Sequence, residues 1–580
     1  MTSFLRPTVV KKSFGALLAA CLVSAGLAAC SPQVPTPPQT QPEVQPEPTE
    51  PQPVPAQTVA YSTDLEASSS LFAESPVAIV AAGDELAQAR AAATALALRA
   101  PMLTVQDNAD AIAAELQRLG VQTVLAVGDV TVPAAVDVMV DPGSSAALTE
   151  VVGSEVQTVE TVGVGDLVAM DPAAPSAPEI PTLEPGTSET FAESSPESAG
   201  SNESEDAADS PAGDPAEDTQ EAAGRPRMVE VGPLEKGEVG IGNEGAAVFA
   251  TGNSPLGVVA NARTAGLDPV VLPQADPRAT SESMTLMRES EIAVGLGPDF
   301  GGTDRLQVTA ELAANTEELP GGGGLVFPGR RMTALYGHPW GGALGVLGEQ
   351  GAQEAAALAK QYAEQYQPFS SQQVIPAFEI IATVAAGGPG DDGNYSNVTP
   401  AQDLVPYIDA ITEVGGYAIL DLQPGRASLL DQAKIYEDLL KRPNVGLALD
   451  PEWKLYGDEV PLQQIGHIDV SEANEVSEWL ATLTRQNNLP QKVFMLHQFQ
   501  LQMIRNRDQL NTGHPELAIV LHADGHGTPG MKMDTWNAMR EGLPGGVWMA
   551  WKNFIDEDQP MLNPEQTMGV EPSPWIVSFQ

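Results

Sequence analysis

The carboxyl-terminal part of the chain carries ionisable residues at intervals, directly after short apolar runs. Asp450 and Glu452 lie two residues apart, so their side chains point the same way if the strand before them continues. Asp421 follows the preceding apolar run. Glycosidic cleavage requires two carboxyl groups several ångströms apart, one a protonated acid and the other a base, nucleophile or stabiliser. We therefore predict that Asp450, Glu452 and Asp421 are catalytic.

Other polar and aromatic residues at equivalent positions predict a substrate-binding ring around these acids. Trp453 and Trp551 are suited to stacking on sugar rings. The residues predicted to bind substrate are Tyr336, His338, Glu379, Gln423, Trp453, His497, Gln498, His522, Asp524, His526, Trp551 and Lys552. The alternative is that these residues form a polar surface that neither binds nor cleaves a substrate.

A metal site is the second chemistry that these residues allow. His497, His522, Asp524 and His526, together with Asp450, are suitable ligands for zinc or a similar divalent ion. Their spacing matches no zinc signature. For each histidine taken alone, the alternative to metal binding is a purely structural role. The sequence therefore predicts no cofactor, with a divalent metal ion as the alternative. It contains no serine nucleophile elbow, and no cysteine nucleophile is predicted, which argues against acyl transfer by those routes.

These residues need a scaffold that brings many strand ends together. Apolar strand candidates recur at Met332–Tyr336, Val374–Ile381, Tyr417–Leu422, Val445–Leu449, Lys492–Leu496, Leu517–Leu521, Gly546–Trp551 and Trp575–Phe579. Helical segments fit between most of them. Eight such strands within about 250 residues predict a (β/α)8 TIM barrel over 325–580, whose active-site face is formed by the carboxyl ends of the strands.

One segment within this predicted barrel resembles a known enzyme family. The sequence GLALDPEW at 446–453 is similar to the fourth strand of family-18 chitinases, which carries alternating acids and ends in Glu. Ala448 stands where that family has an earlier acid. The resemblance implies a carbohydrate-directed barrel.

Two α/β segments before the barrel look like copies of each other. The strand candidates are Val77–Gly83, Ala100–Thr104 and Thr123–Gly128 in the first copy (70–172), and Ala247–Gly252, Asp268–Leu272 and Ile292–Gly297 in the second (227–320). Continuous apolar strands that alternate with helices predict doubly wound, Rossmann-like parallel sheets. Neither copy contains a G-x-G-x-x-G or Walker pattern, so no nucleotide site is predicted.

The pattern of these two segments resembles the cell wall-binding repeat 2 family, whose members are surface proteins with tandem repeats that attach to wall polymers. The matching residues are Gly83, Asp84, Pro101, Leu103, Leu119, Gly120 and Gly128 in the first copy, and Gly252, Pro269, Leu272 and Gly295 in the second. Asn253 replaces the aspartate in the second copy. The family usually carries three adjacent repeats, whereas here an acidic stretch separates two. The resemblance implies binding to a cell-wall glycan or polymer.

The amino-terminal segment predicts export and lipid attachment. Basic residues precede an apolar run, Phe14–Leu27, that is shorter than the roughly 20 residues needed to span a bilayer and suits a signal peptide over 1–29. The run ends in LAAC, which resembles a lipobox and implies a diacylglycerol on Cys30. The alternative is an ordinary signal peptide with an incidental cysteine. A Pro-rich disordered spacer, 30–60, follows, so we expect a lipid anchor on the extracytoplasmic face of the cell membrane.

Charge and cysteine content exclude other classes of protein. The net charge of −49, from 28 basic and 77 acidic residues, argues against nucleic acid as a partner. Residues 173–226 read as a disordered acidic linker by composition. Cys21 leaves with the signal peptide, so no disulfide is expected.

The sequence thus predicts a membrane-anchored cell-envelope lipoprotein with wall-binding-like repeats and a barrel that binds or hydrolyses a carbohydrate. The alternatives are a non-enzymatic wall adhesin or scaffold, and a metal-dependent hydrolase.

Overall fold

The computed structural model describes residues 57–105, 108–173, 177–183, 227–237 and 245–580. The predicted signal peptide, the lipidation site at Cys30 and nearly all of the predicted spacer and acidic linker lie outside these residues. Within the part of the chain that the structure describes, none of the helices combines the length and apolarity needed to cross a membrane.

The described chain before residue 316 alternates strands and helices. The strands are β1 (Gln57–Tyr61), β2 (Val77–Ala81), β3 (Met102–Thr104), β4 (Thr123–Val127), β5 (Asp137–Val140), β6 (Gln157–Val159), β7 (Glu179–Pro181), β8 (Arg227–Met228), β9 (Ala246–Thr251), β10 (Pro269–Leu272) and β11 (Ile292–Leu296). The helices are α1 (Asp64–Leu71), α2 (Glu85–Leu98), α3 (Ala109–Leu119), α4 (Ser145–Val152), α5 (Val164–Ala169), α6 (Leu256–Thr264), α7 (Ser281–Glu289) and α8 (Gly302–Asn315).

The first module is a parallel sheet in the order β3-β2-β4-β5-β8. Strand β2 is buried along its whole length, as expected for a sheet that helices cover on both faces. Helix α2 follows β2 and is capped at its amino terminus by Asp84, whose carboxylate accepts a hydrogen bond from the Ala87 amide at 2.9 Å. Its many alanines allow close packing against neighbouring helices.

The second module is a parallel sheet in the order β1-β11-β9-β10. Strands β9, β10 and β11 take the places that β2, β3 and β4 take in the first module. The place of β5 is filled by β1, which precedes the first module in the chain and which the composition had assigned mostly to the spacer. The two modules are therefore interleaved, and each is doubly wound as predicted.

Asn261 of helix α6 joins the two modules. Its side chain is fully buried and accepts a hydrogen bond from the Met102 amide at 2.7 Å. It also donates to the carbonyl oxygens of Met102 at 2.9 Å and Asp64 at 3.0 Å. Strand β3 is an edge of the first sheet, so this one side chain pairs backbone groups that the sheet leaves open.

The chain from residue 330 onward forms the second half of the protein. Its strands are β12 (Arg330–Gly337), β13 (Gln373–Ala385), β14 (Ser396–Val398), β15 (Tyr417–Leu422), β16 (Val445–Leu449), β17 (Ile468–Asp469), β18 (Lys492–Gln498), β19 (Ile504–Arg505), β20 (Leu517–Ala523), β21 (Trp548–Asn553) and β22 (Ile576–Phe579). Its helices are α9 (Ala352–Tyr366), α10 (Ala401–Glu413), α11 (Leu429–Ile435), α12 (Glu437–Leu440), α13 (Val470–Gln486), α14 (Pro529–Arg540) and α15 (Pro564–Met568).

Eight of these strands close a parallel barrel, which confirms the predicted fold class. Their order is β12-β22-β21-β20-β18-β16-β15-β13, and β12 also pairs with β13 to complete the ring. Strand β14 adds to β13 in antiparallel fashion outside the ring. Alternate residues such as Ala377, Ile419 and Val520 fill the interior, whereas their neighbours pack against the helices.

The amino-terminal end of the barrel is closed by an aromatic cluster. Phe327 packs against Trp548 and Trp575 with 5.4 Å between ring centroids in both pairs. Phe327 lies on the segment that enters the barrel from the second module. With this end filled, the carboxyl ends of the strands are where a ligand can enter.

Candidate functional site

Every barrel strand contributes one polar side chain at its carboxyl end. We call this set the polar layer: Tyr336, Glu379, Asp421, Asp450, His497, His522, Lys552 and Ser578. Each of these residues is at most 3 % exposed. The layer exists because inward positions alternate along each strand and the inward position at this level is polar on all eight. The sequence pattern placed seven of these residues at the site and missed Ser578.

Two histidines and two acids form the centre of the polar layer. His497 lies between Glu379, at 2.5 Å from Nε2 to Oε1, and Asp524, at 2.8 Å from Nδ1 to Oδ2. Burial would lower the pKa of His497, but Glu379 and Asp524 raise it well above its ordinary value. His522 contacts Ser578, at 2.9 Å from Nε2 to Oγ, and burial lowers its pKa.

Lys552 completes the charge balance beside Asp524. Its ammonium lies 3.2 Å from Asp524 and 3.8 Å from the centre of the Tyr336 ring. Burial alone would raise the pKa of Asp524, but Lys552 and His497 outweigh it and hold that pKa below its ordinary range. Asp524 is therefore an ionised carboxylate that is fixed by two cationic partners.

Three other carboxyl groups are shifted in the opposite direction. Burial, helped by the negative charge of Glu379, raises the pKa of Asp421 to about 7 despite the opposing influence of His497. Burial and the charge of Asp524 raise the pKa of Glu452 to about 7, and burial and Glu452 raise that of Asp450 well above its ordinary value. Tyr336 donates a hydrogen bond to Asp421 at 3.1 Å and accepts one from Gln423 at 3.3 Å.

A cavity of about 520 Å³ opens above the polar layer. Its polar wall is formed by Tyr336, Gln423, Glu452, Asp524, His526 and Lys552. The aromatic rings of Trp453, Phe499 and Phe554 line it as well. Asp421 and Asp450 do not line the cavity, so Glu452 and Asp524 are its carboxyl groups. A second cavity of about 330 Å³ shares the wall formed by Glu452 and Trp453.

Six of the residues that were predicted to bind substrate do not line the cavity. Glu379, His497 and His522 belong to the polar layer beneath it, whereas Trp551, Gln498 and His338 lie outside that layer as well. Trp551 points outward from its strand, is 1 % exposed and packs against Trp536 of helix α14 at 5.5 Å. The alternation that turns Lys552 inward turns Trp551 away, so its ring is not available to a sugar in the cavity. Gln498 also points outward and accepts a hydrogen bond from Arg507 at 2.6 Å. His338 lies outside the cavity wall, where its ring contacts Thr399 at 3.1 Å.

The predicted set of metal ligands is also changed. Glu379, His497 and His522 each bring one ligand atom within 4.8 Å of the others. His526 is not part of this group, because it lies at the cavity wall with its ring against Phe554 at 5.5 Å. Asp524 contacts the group through His497, and Asp450 is not part of the group. Glu379, which was assigned to substrate binding, takes the place of these three residues.

Lys532 is a further residue that the sequence analysis missed. It is 4 % exposed, and its ammonium donates to the carbonyl oxygens of Gly525 at 2.8 Å and Lys552 at 2.6 Å. It also pairs with Asp558 at 2.9 Å. These contacts join the ends of β20 and β21, which carry Asp524 and Lys552. A single lysine on an amphipathic helix gives no signal of such a role, whereas the alternation in β22 would have identified Ser578.

Comparisons with known proteins complete the description. No protein family and no curated protein matches this sequence. Among solved structures, Cwp6 from Clostridium difficile is similar, with a TM-score of 0.30 and 10 % sequence identity. The match covers 66 % of this chain and 65 % of that chain. A TM-score of 0.30 does not bear on function, which rests on the geometry of the barrel.

Proposed function

We propose that the barrel cleaves a glycosidic bond in a cell-envelope glycan, with Glu452 as the general acid and Asp524 as its ionised partner. The observation that carries this proposal is that these two carboxyl groups face one cavity and have pKa values shifted in opposite directions. Asp524 is paired with Lys552 and His497, whereas Glu452 has the raised pKa that a proton donor needs. Two carboxyl groups in different protonation states are the basic requirement of glycoside hydrolysis.

The neighbouring residues have supporting roles in this proposal. Trp453, Phe499 and Phe554 offer ring faces on which a sugar can pack. Tyr336 and Gln423 present polar groups to its hydroxyls. Asp421 and Asp450, which the sequence analysis assigned to catalysis, lie beneath the cavity floor. In this proposal they are buried carboxyl groups that help to exclude water from the site and to keep Glu452 protonated. The members of the polar layer that do not line the cavity, such as Asp421 and Asp450, thus orient the cavity residues without touching the substrate.

Residues before the barrel would place this activity at the cell surface. We propose that Cys30 carries a diacylglycerol and that the interleaved modules bind a wall polymer, as the resemblance to the wall-binding repeat family suggests. Cys30→Ser should release the protein from the membrane fraction and remove lipid label. The lipid anchor would be contradicted if Cys30→Ser fractionates like the wild type and the wild type carries no lipid label.

The catalytic proposal is tested with purified protein and a panel of envelope glycans that includes peptidoglycan and chitin. New reducing ends are the readout. Glu452→Gln should lower the rate by about 10²–10⁴-fold and leave glycan binding nearly intact, because the amide cannot donate the proton. Glu557→Gln is the matched control, since Glu557 is exposed on a loop after β21 at the same end of the barrel.

The pH profile gives a second test of Glu452. Its protonated form is the active one, so the wild-type rate should fall as pH rises through about 7. A wild-type rate in Glu452→Gln would contradict the proposed acid. Glycan binding without any new reducing ends in the wild type would instead identify the barrel as an adhesin.

A further inference from the structure

Three side chains in the polar layer point ligand atoms at one another. The separations are 2.5 Å between His497 Nε2 and Glu379 Oε1, 3.4 Å between His522 Nδ1 and His497 Nε2, and 3.8 Å between His522 Nδ1 and Glu379 Oε1. All three residues are fully buried. Ligands of a tetrahedral zinc ion with bonds of about 2.0–2.1 Å lie about 3.3 Å apart. Two of the separations are near that value, and the third lengthens when an ion replaces the bridging proton.

The far nitrogen of each imidazole ring is already held. His497 contacts Asp524 through Nδ1 at 2.8 Å, and His522 contacts Ser578 through Nε2 at 2.9 Å. Histidines that bind metals nearly always use the second ring nitrogen in this way, because the contact fixes both the tautomer and the ring orientation. The two rings therefore have the orientation of ligands, with one nitrogen anchored and the other directed at Glu379.

Unpaired carboxylate oxygens give an independent indication of a cation. Glu379 Oε2 is buried and accepts no hydrogen bond from the described residues, and the same is true of Asp421 Oδ1 and Asp450 Oδ1 in the same layer. Buried polar atoms without a partner are rare and call for a ligand or ordered water. Of these three oxygens, Glu379 Oε2 belongs to the group formed with His497 and His522 and is free to bind an ion.

We propose that Glu379, His497 and His522 bind one divalent transition-metal ion at the floor of the barrel cavity. Two imidazole nitrogens and one carboxylate are a donor set that suits zinc, iron or manganese. The site differs from the proposed acid pair, because it lies among buried residues and does not include Glu452. Asp524 connects the two, since it lines the cavity and contacts His497.

Metal content tests this proposal without any activity measurement. The full chain is incubated with Zn²⁺, Fe²⁺ or Mn²⁺ in separate samples, desalted and analysed for metal by mass spectrometry. We expect about one equivalent of one of these ions in the wild type. Glu379→Gln and His522→Ala should lose it, whereas His338→Ala and His526→Ala, which alter histidines outside the group, should keep it.

A second measurement guards against variants that fail to fold. X-ray absorption of the wild type loaded with Zn²⁺ should show two imidazole ligands at about 2.0–2.1 Å. A wild type that retains no ion after desalting would overturn the proposal, and so would folded ligand variants that retain as much ion as the wild type. Glycan cleavage is scored separately, so a failed metal site and a failed acid pair give different results.

Discussion

The interleaved modules and the barrel both bury acidic side chains, but these acids have different partners. In the first module both carboxylate oxygens of Asp141 are paired with Arg90, and both of Glu115 with Arg118. In the second module Asp276 is paired with Arg278 in the same way. In the polar layer Glu379, Asp421 and Asp450 each keep one oxygen that accepts no hydrogen bond. Fully paired acids stabilise a fold, whereas acids with a free oxygen remain available to a proton, an ion or a substrate.

The two regions also differ in how the chain builds them. The barrel strands all come from the continuous segment between Arg330 and Phe579. The second module takes its edge strand β1 from residues that precede the first module. The second module is therefore completed by a segment on the far side of the first module in the chain, and the barrel does not take a strand from either module.

The largest effect is expected from removal of β1. A chain that begins at Ser75 keeps β2 to β5 but lacks helix α1 and strand β1, which is one of the two strands that pair with β11. Amide hydrogen exchange should accelerate in Ile292–Leu296 and in the neighbouring β9, since local stability follows paired structure. Exchange in the barrel strands should stay slow. Unchanged protection of Ile292–Leu296 would contradict the interleaved arrangement.

A smaller loss is expected from Asp141→Ala. Arg90 is fully buried and would lose both hydrogen bonds to this carboxylate, which leaves an unpaired charge inside the first module. Breaking such a pair costs about 3–5 kcal/mol. Urea unfolding measures the loss. Asp137→Ala is the control in the same module, because its partner Arg227 is largely exposed, and it should cost less than about 1 kcal/mol.

An effect of the opposite sign, which depends on pH, is expected from Asp421→Asn in the barrel. The pKa of Asp421 is about 7 in the folded protein against an ordinary value of 3.8. The folded state holds this proton more tightly, so stability falls as pH rises from about 4 to about 7. Asparagine cannot ionise, yet it still accepts the hydrogen bond from Tyr336.

The variant should therefore match the wild type at pH 4 and exceed it at pH 8 by at most about 4 kcal/mol, the equivalent of three pKa units. Denaturant unfolding at both pH values measures this difference. A variant that is less stable than the wild type at pH 8 would contradict this prediction, because it would show that ionised Asp421 stabilises the fold as the paired acids of the modules do.

Much of the barrel follows from the sequence. Apolar runs at regular intervals identified its eight strands, and the change to ionisable residues at their ends identified most of the polar layer. The errors have a common cause. Trp551 and Gln498 lie beside residues that point into the barrel, but the alternation of a strand turns them to the outer face, and His338 lies in a loop beyond its strand. An assignment by position alone does not separate the two faces.

Strand pattern and composition by themselves determined that this chain contains two doubly wound sheets and a barrel, because periodic burial is a local property. Only the tertiary structure decided that β1 belongs to the second module, that Glu452 and Asp524 rather than Asp450 and Asp421 face the cavity, and that Glu379 joins His497 and His522. Those features depend on contacts between residues up to hundreds of positions apart. Such contacts form only when distant strands pair in the second module and in the barrel, so a local sequence pattern does not predict them.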